Sequence, residues 1–260
     1  MSLPVLELKN VDHVYVTDRE AVLAIEGMNL SVMPGEFISL VGPSGCGKTT
    51  LLSIMAGLIQ PSRGEVLLEG KPVMGPASAA GYMLQQDYLF PWRTILENAM
   101  LGLELTGQSG REAKDKVRSM LEGMGLGGTE QQYPHQLSGG MRQRVALVRT
   151  LAAEPELLLL DEPFSALDYQ TKLQLEDLVV ETFRTQRKTA VLVTHDLSEA
   201  IAVSDRVIVL GAKPGRIRST FTIPAAIREA VPFYAREQEG FNEIFQQIWR
   251  ELEASERSDG

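Results

Sequence analysis

Residues 37–58 read FISLVGPSGCGKTTLLSIMAGL. A five-residue apolar run gives way to a glycine-rich turn and then to an apolar helical pattern, the order strand, loop, helix. The turn matches G-x-x-x-x-G-K-[ST] in full, from Gly42 through Pro43, Ser44, Gly45, Cys46 and Gly47 to Lys48 and Thr49. Glycines at these places let backbone N–H groups curl around phosphate oxygens, where side chains would crowd them. The helix that follows turns its positive N-terminal end to the same point. Lys48 is expected to reach the β- and γ-phosphates of a nucleotide and Thr49 to ligate Mg²⁺, with Thr50 beside it in the binding set. A glycine-rich turn without function is the competing reading, and the flanking strand and helix weigh against it.

Working outward, further short apolar runs appear: EVLLEG (65–70), ELLLLD (156–161), TAVLVTHD (189–196) and RVIVL (206–210). Unalternating runs of this length suit strands buried on both faces of a mainly parallel sheet, and helical patterns between them make the class α/β. Three runs end in polar groups: FISLV at the phosphate loop, LLLL at Asp161-Glu162 and VLVT at His195. Ligands bind at the carboxyl ends of strands in such sheets, so three polar ends predict one site. There Asp161 is expected to hold Mg²⁺ through water, and Glu162 to polarise the attacking water. Alone, Asp-Glu after a strand reads equally well as a helix N-terminal charge pair.

The start of the chain, LELKNVDHVYV (6–16) and MNLSVMPGE (28–36), alternates and predicts an antiparallel β layer. Residues 87–151 read as an inserted helical subdomain between the two halves of the core, 1–86 and 152–215. Residues 216–260 read as a helical tail. In it Phe241, Ile244, Phe245, Ile248, Trp249 and Leu252 share one helical face, and ASERSDG (254–260) reads as disordered.

The bulk numbers bound the partners. A net charge of −9 over 260 residues argues against a nucleic-acid surface. One cysteine excludes an internal disulfide and fits a reducing compartment. MSLPVLELKN has no signal-peptide pattern, and no segment approaches the ~18 apolar residues of a membrane span. Work at a membrane would need other chains to supply the spanning part.

Leu137-Ser138-Gly139-Gly140-Met141-Arg142-Gln143, shortly before the Asp161 strand, narrows the reading. Ser138 is placed to cap the helix MRQRVALVRTLA, and Gly139 and Gly140 leave its amides open to an anion; a plain capped helix is the competing reading. With the phosphate loop and Asp161-Glu162, this LSGG segment resembles the signature of ABC transporter ATPases over essentially the whole chain. The resemblance implies a P-loop NTPase core with an antiparallel β layer and a helical insert, hydrolysing ATP with Mg²⁺. It implies two ATP molecules sandwiched between two chains, Lys48 of one facing Ser138 of the other, in a homodimer. By the same resemblance Tyr15 stacks on adenine, Gln85 contacts Mg²⁺ and the water, Asp168 in SALD crosses the dimer interface, and His195 senses the γ-phosphate. The competing readings are a strand-face tyrosine for Tyr15 and a structural strand-end histidine for His195; Gln86 competes with Gln85.

Gln85-Gln-Asp-Tyr-Leu89-Phe90-Pro91-Trp92-Arg-Thr-Ile-Leu-Glu-Asn98 and the tail resemble importers of the nitrate, sulfonate, taurine and bicarbonate type. This implies transmembrane permease partners, an external substrate-binding protein and a place on the cytoplasmic face of the cell (inner) membrane. Leu89, Phe90 and Trp92 are expected either to form part of a groove gripping a permease helix or to pack internally. An exporter or lipid-handling ATPase would use the same engine, as would DNA-repair and ribosome-associated ABC proteins. Those last two carry coiled coils, zinc modules or paired cassettes, which this chain lacks. Cys46, near a helix N-terminus, is a candidate for a lowered thiol pKa and for alkylation that blocks turnover; a small residue merely fitting there is the bland alternative. His13 and His135 read as surface or core residues.

Overall fold

The computed structural model describes residues 3–77, 79–165 and 167–257. Two sheets and the helices around them form the architecture. The larger sheet has six strands: β3 (Phe37–Val41), β6 (Ala80–Met83), β7 (Leu157–Asp161), β8 (Thr189–Val193), β9 (Arg206–Leu210) and β10 (Ile217–Thr222), ordered β10-β9-β3-β8-β7-β6. All neighbours are parallel except β10 on β9. The smaller sheet is antiparallel: β1 (Leu6–Val16), β2 (Ala21–Val32), β4 (Arg63–Leu68) and β5 (Lys71–Pro72), ordered β2-β1-β4-β5.

The central strands are apolar throughout because both their faces are covered. Along β7, Leu157 and Leu159 join one hydrophobic cluster while Leu158 and Leu160 join the other. Val191 and Val193 of β8 alternate with Ala190 and Leu192 in the same way. The first cluster fills the space between the two sheets, with Leu6, Leu8, Met28 and Leu30 opposite Ile38 and Leu40 and with Leu51 and Leu52 of α1 (Lys48–Met55). The second lies under the helices and runs on without a break into residues 95–126.

The run EVLLEG belongs to β4, in the antiparallel layer, and not to the parallel sheet. Its residues are exposed over Arg63–Glu65 and buried over Val66–Leu68, where β4 pairs with β1. The tail also begins differently from expectation, with β10 before its helices. The ASER of ASERSDG is the last part of α10 (Phe241–Arg257), while residues 258–260 lie outside the described residues.

Between β6 and β7 the described backbone holds helices and no strand: α2 (Ile95–Ala99), α3 (Leu101–Leu105), α4 (Arg111–Gly123), a 3₁₀ turn (Pro134–Gln136) and α5 (Gly139–Ala152). Thr94 and Glu97 form a capping box that starts α2. Asn98, fully buried, accepts from Phe90 N–H at 2.7 Å and donates to the carbonyls of Phe90, Arg93 and Thr94. The T-x-x-E-N spacing thus folds the LFPW turn back on its own helix. Leu89 is buried in the core, Phe90 is half-buried, and Trp92 is 72% exposed. The internal-packing reading holds for Leu89, and Trp92 is the open member of the three.

After β7 come α6 (Tyr169–Gln186), α7 (Leu197–Val203), α8 (Ala225–Arg228), α9 (Pro232–Ala235) and α10. Phe241, Ile244 and Ile248 of α10 are buried, with Phe245 and Leu252 packed against the same core. Trp249 is 48% exposed and stacks on Phe245, with ring centroids 6.3 Å apart.

Candidate functional site

The carboxyl ends of β3, β8 and β7 are neighbours, and a cleft of about 630 Å³ opens where they stop. The loop after β3, the Asp161-Glu162 step after β7 and His195 after β8 all line it. Gly47, at φ 94°, is required twice over: its backbone is left-handed, and a Cβ there would stand 2.6 Å from Ile25 Cδ1. At Gly42 a Cβ would meet Cys46 Sγ at 2.8 Å and Leu210 O at 3.0 Å. The loop is thus wrapped too tightly for side chains at these positions. Lys48 Nζ donates to the carbonyls of Gly42 at 2.7 Å and Pro43 at 3.0 Å, which holds the ammonium across the mouth of the loop.

Asp161 is 3% exposed at the end of β7. Burial pushes its carboxyl above the ordinary carboxylate range, and a hydrogen bond from the Thr49 side chain opposes that rise. A buried carboxylate beside a hydroxyl is a hard-oxygen donor pair suited to Mg²⁺, whose remaining ligands would come from phosphate and water. Glu162 follows with φ 48°, a left-handed conformation that costs a non-glycine residue ~1 kcal/mol or more. Its N–H donates to Val193 O at 2.9 Å, so the strained residue is pinned to β8. Gln85 Nε2 donates to Glu162 Oε2 at 3.2 Å, and His195 Nδ1 stands 3.3 Å from the same oxygen. The cleft lining takes in Gln85 and not Gln86.

On the far side of the loop, Tyr15 is 41% exposed, its hydroxyl 3.1 Å from Thr50 Oγ1 and its ring edge-on to His13. Val22, Leu23 and Ala24 of β2 continue that apolar wall. His13 is buried, and His135 is exposed and stacked on Tyr133. Cys46 fits the bland reading and not the lowered thiol: it is fully buried, and burial pushes its thiol up, the Lys48 ammonium opposing this. Pro43 lines a separate cavity of about 270 Å³ with Ser44, His195 and, from α10, Trp249 and Leu252.

Ser138 caps α5, accepting from Met141 N–H at 3.3 Å, and is exposed with Gly139. Asp168 caps α6, accepting from Thr171 N–H at 3.0 Å; its hydrogen bonds with Thr171 hold its carboxyl below the usual range. Among the described residues, Ser138, Gly139, Gly140 and Asp168 line no part of the cleft. The signature helix nevertheless touches the Gln85 segment. Gln143 Nε2 donates to Gln85 O at 3.4 Å, Arg142 pairs with Asp87 at 2.9 Å, and Arg149 donates to the carbonyls of Asp87 and Tyr88.

Sequence reading missed Lys213. It lies on the β9–β10 connection, whose Gly215 exchanges hydrogen bonds with β2 through Ala24 O and Glu26 N–H. A Cβ on Gly45 would stand 3.1 Å from Lys213 Cε, and Lys213 lines the cleft. The segment AKPGR carries no local sign of this; only the antiparallel turn of β10 brings it over the phosphate loop.

A phosphate loop at the end of one parallel strand, with a buried aspartate and a following glutamate at the end of another, defines a P-loop ATPase. The family model described as ABC transporter matches residues 25–165. The chain is 52% identical over 97% of both chains to an uncharacterized ABC transporter ATP-binding protein, YtlC, of Bacillus subtilis. It is 41% identical to the aliphatic sulfonates import ATP-binding protein SsuB of Bacillus licheniformis, covering 89% of this chain and 88% of that one. It is 40% identical to the nitrate import ATP-binding protein NrtD of Synechocystis, covering 87% and 85%. A solved dimer of the ATP-binding cassette MJ0796 bound to ADP and Pi superposes with TM-score 0.77 at 33% identity, covering 85% of this chain and 99% of that one. The chain belongs to the ABC transporter family, and it is an ATP-hydrolysing subunit of a transporter. Among the described residues no helix is long and apolar enough to cross a membrane.

Proposed function

We propose that this ATPase powers import of a small anion of the sulfonate or nitrate kind, as a homodimer that closes on two ATP molecules. The observation that carries the dimer is the separation of the signature from the cleft: Ser138, Gly139, Gly140 and Asp168 stand exposed or half-exposed outside it. A capped helix end with open amides facing solvent suits a phosphate brought by a second copy. The relatives named for sulfonate and nitrate import support the cargo class.

In this reading the loop Gly42–Thr50 cradles the phosphates, with Lys48 and Lys213 supplying two positive charges to them. Tyr15 covers the base. Thr49, Asp161 and Gln85 hold Mg²⁺, which when bound draws charge from the phosphate oxygens. Glu162 accepts a proton from the attacking water, while Gln85 and His195, both on its Oε2, fix that oxygen's direction. Residues 87–151 act as a signature unit on the core formed by 1–86 and 152–215. Tyr88 and Trp92, both largely exposed, offer a contact to a permease at the cytoplasmic side of the membrane, with a substrate-binding protein outside.

Size-exclusion chromatography of Glu162→Gln with and without Mg-ATP tests this. A shift from monomer to dimer only with ATP is expected, since binding survives and release by hydrolysis does not. ATP binding with no shift rejects the shared site.

A further inference from the structure

A buried chain of charges runs from the tail to the residue after His195. Lys172 and Glu176 lie one turn apart on α6. Lys172 Nζ stands 2.8 Å from Asp196 Oδ2, 2.6 Å from Glu199 Oε2 and 4.0 Å from Glu176 Oε1. Glu176 is fully buried, and its other oxygen meets Arg236, just past α9, at 2.7 Å. Asp196 caps α7, accepting from the N–H groups of Ser198 and Glu199, and is adjacent to His195 in the chain. A cavity of about 210 Å³ lies between this chain and the reacting groups, lined by Lys172, Glu199, Thr194, His195 and Glu162.

Two cations serve three carboxylates here, so the division of Lys172 among them depends on Arg236. A buried carboxylate that is kept ionised after losing its partner recruits the nearest cation, because an unpaired charge in a low dielectric is costly. Without Arg236, Glu176 would draw Lys172 off Asp196 and Glu199 and free the segment that carries His195. The tail is placed to make this contact: Phe233 N–H donates to Asp177 at 2.9 Å, and Arg184 of α6 donates to the carbonyls of Arg228, Glu229 and Ala230.

We propose that Arg236 is a positioning residue for ATP hydrolysis: by holding Glu176 it leaves Lys172 to Asp196 and Glu199, and so sets where His195 stands against Glu162. The proposal rests on the roles given above to Glu162 and His195. It assigns the tail a part in turnover while the phosphate loop keeps its affinity for nucleotide.

The test is steady-state ATPase kinetics of the full chain, assayed well above the pH of about 7 at which Glu176 ionises in the parent, because losing Arg236, which holds that value down, raises it further. Arg236→Met is expected to lower kcat on the order of tenfold with KM for ATP unchanged, as for a misplaced catalytic group. Arg236→Met with Glu176→Gln is expected to recover most of the loss, because nothing then competes for Lys172. Glu176→Gln alone should turn over as the parent does. A tail that merely aids folding would lower the melting temperature of Arg236→Met and leave kcat per folded molecule intact, which overturns the proposal. A kcat loss that the double variant does not repair overturns it too. If Glu162→Gln itself retains turnover, the reading of the site fails; if it is dead while Arg236→Met is normal, only the role of Arg236 fails.

Discussion

Gln85 and Glu162 meet through a hydrogen bond of 3.2 Å although one ends the segment after β6 and the other the step after β7. The same Glu162 oxygen faces His195 at 3.3 Å, so three separate segments converge on one carboxylate. Removing one of them should cost orientation and not binding. His195→Ala is expected to reduce single-turnover hydrolysis by on the order of 100-fold, within the range for a positioned acid–base group. Its dissociation constant for ATP should stay near that of the parent; equal losses in both would place His195 in binding instead.

Lys213 stands over Gly45, where a nucleotide's phosphates would approach. Lys213→Ala should weaken ATP and ADP binding about fivefold, a modest effect because the side chain is exposed and screened by salt. Lys213→Arg should restore it. Adenosine binding should not change, and isothermal titration of the three ligands separates a phosphate contact from a general disturbance of the cleft.

The buried Cys46 thiol should resist alkylation in the folded protein. Its pKa is raised by burial, and the thiolate is the reactive form. Mass spectrometry after iodoacetamide should find labelling at least ~100-fold slower in native than in urea-unfolded chains, the exposed thiol being free to react. Fast native labelling would mean that the loop opens readily around α1.

Glu176 predicts a pH signature. Burial pushes its carboxyl from 4.5 up to about 7, with Arg236 opposing, so the folded protein holds a proton that the unfolded chain has released. The stabilisation this gives is full below about 4.5 and is lost as pH rises through about 7. Arg236, Glu199 and Lys172 all face the same carboxylate. Between these values the parent should lose several degrees of melting temperature relative to Glu176→Gln, whose curve lacks this term; parallel curves would place Glu176 elsewhere in charge.

Much of this was readable in the chain. FISLV, LLLL, TAVLV and RVIVL declare strands buried on both sides because each has apolar residues at odd and even positions alike. Their polar ends converge as expected. EVLLEG has the same composition but only Val66–Leu68 are covered, and a short apolar run does not say which sheet will take it. Ala80–Met83 was missed because AGYM is too short and too small to stand out, yet it closes one edge of the large sheet. Ile217–Thr222 alternates as an edge strand should, with every second residue half-buried, but lay inside a segment read as helical. For Cys46 the proximity to a helix end was legible, whereas its burial was a tertiary fact.

The cavity between α10 and the phosphate loop has an optical consequence. The chain contains two tryptophans. Trp249 lines that cavity with Pro43 and Ser44, and Trp92 stands in the open on the LFPW turn. Excited at the indole band, a Trp92→Phe protein glows from one end of the molecule only, beside the nucleotide. Its emission becomes an intrinsic gauge of what happens at the loop, and the Trp249→Phe counterpart becomes a silent surface lamp that dims or shifts when another chain settles over it.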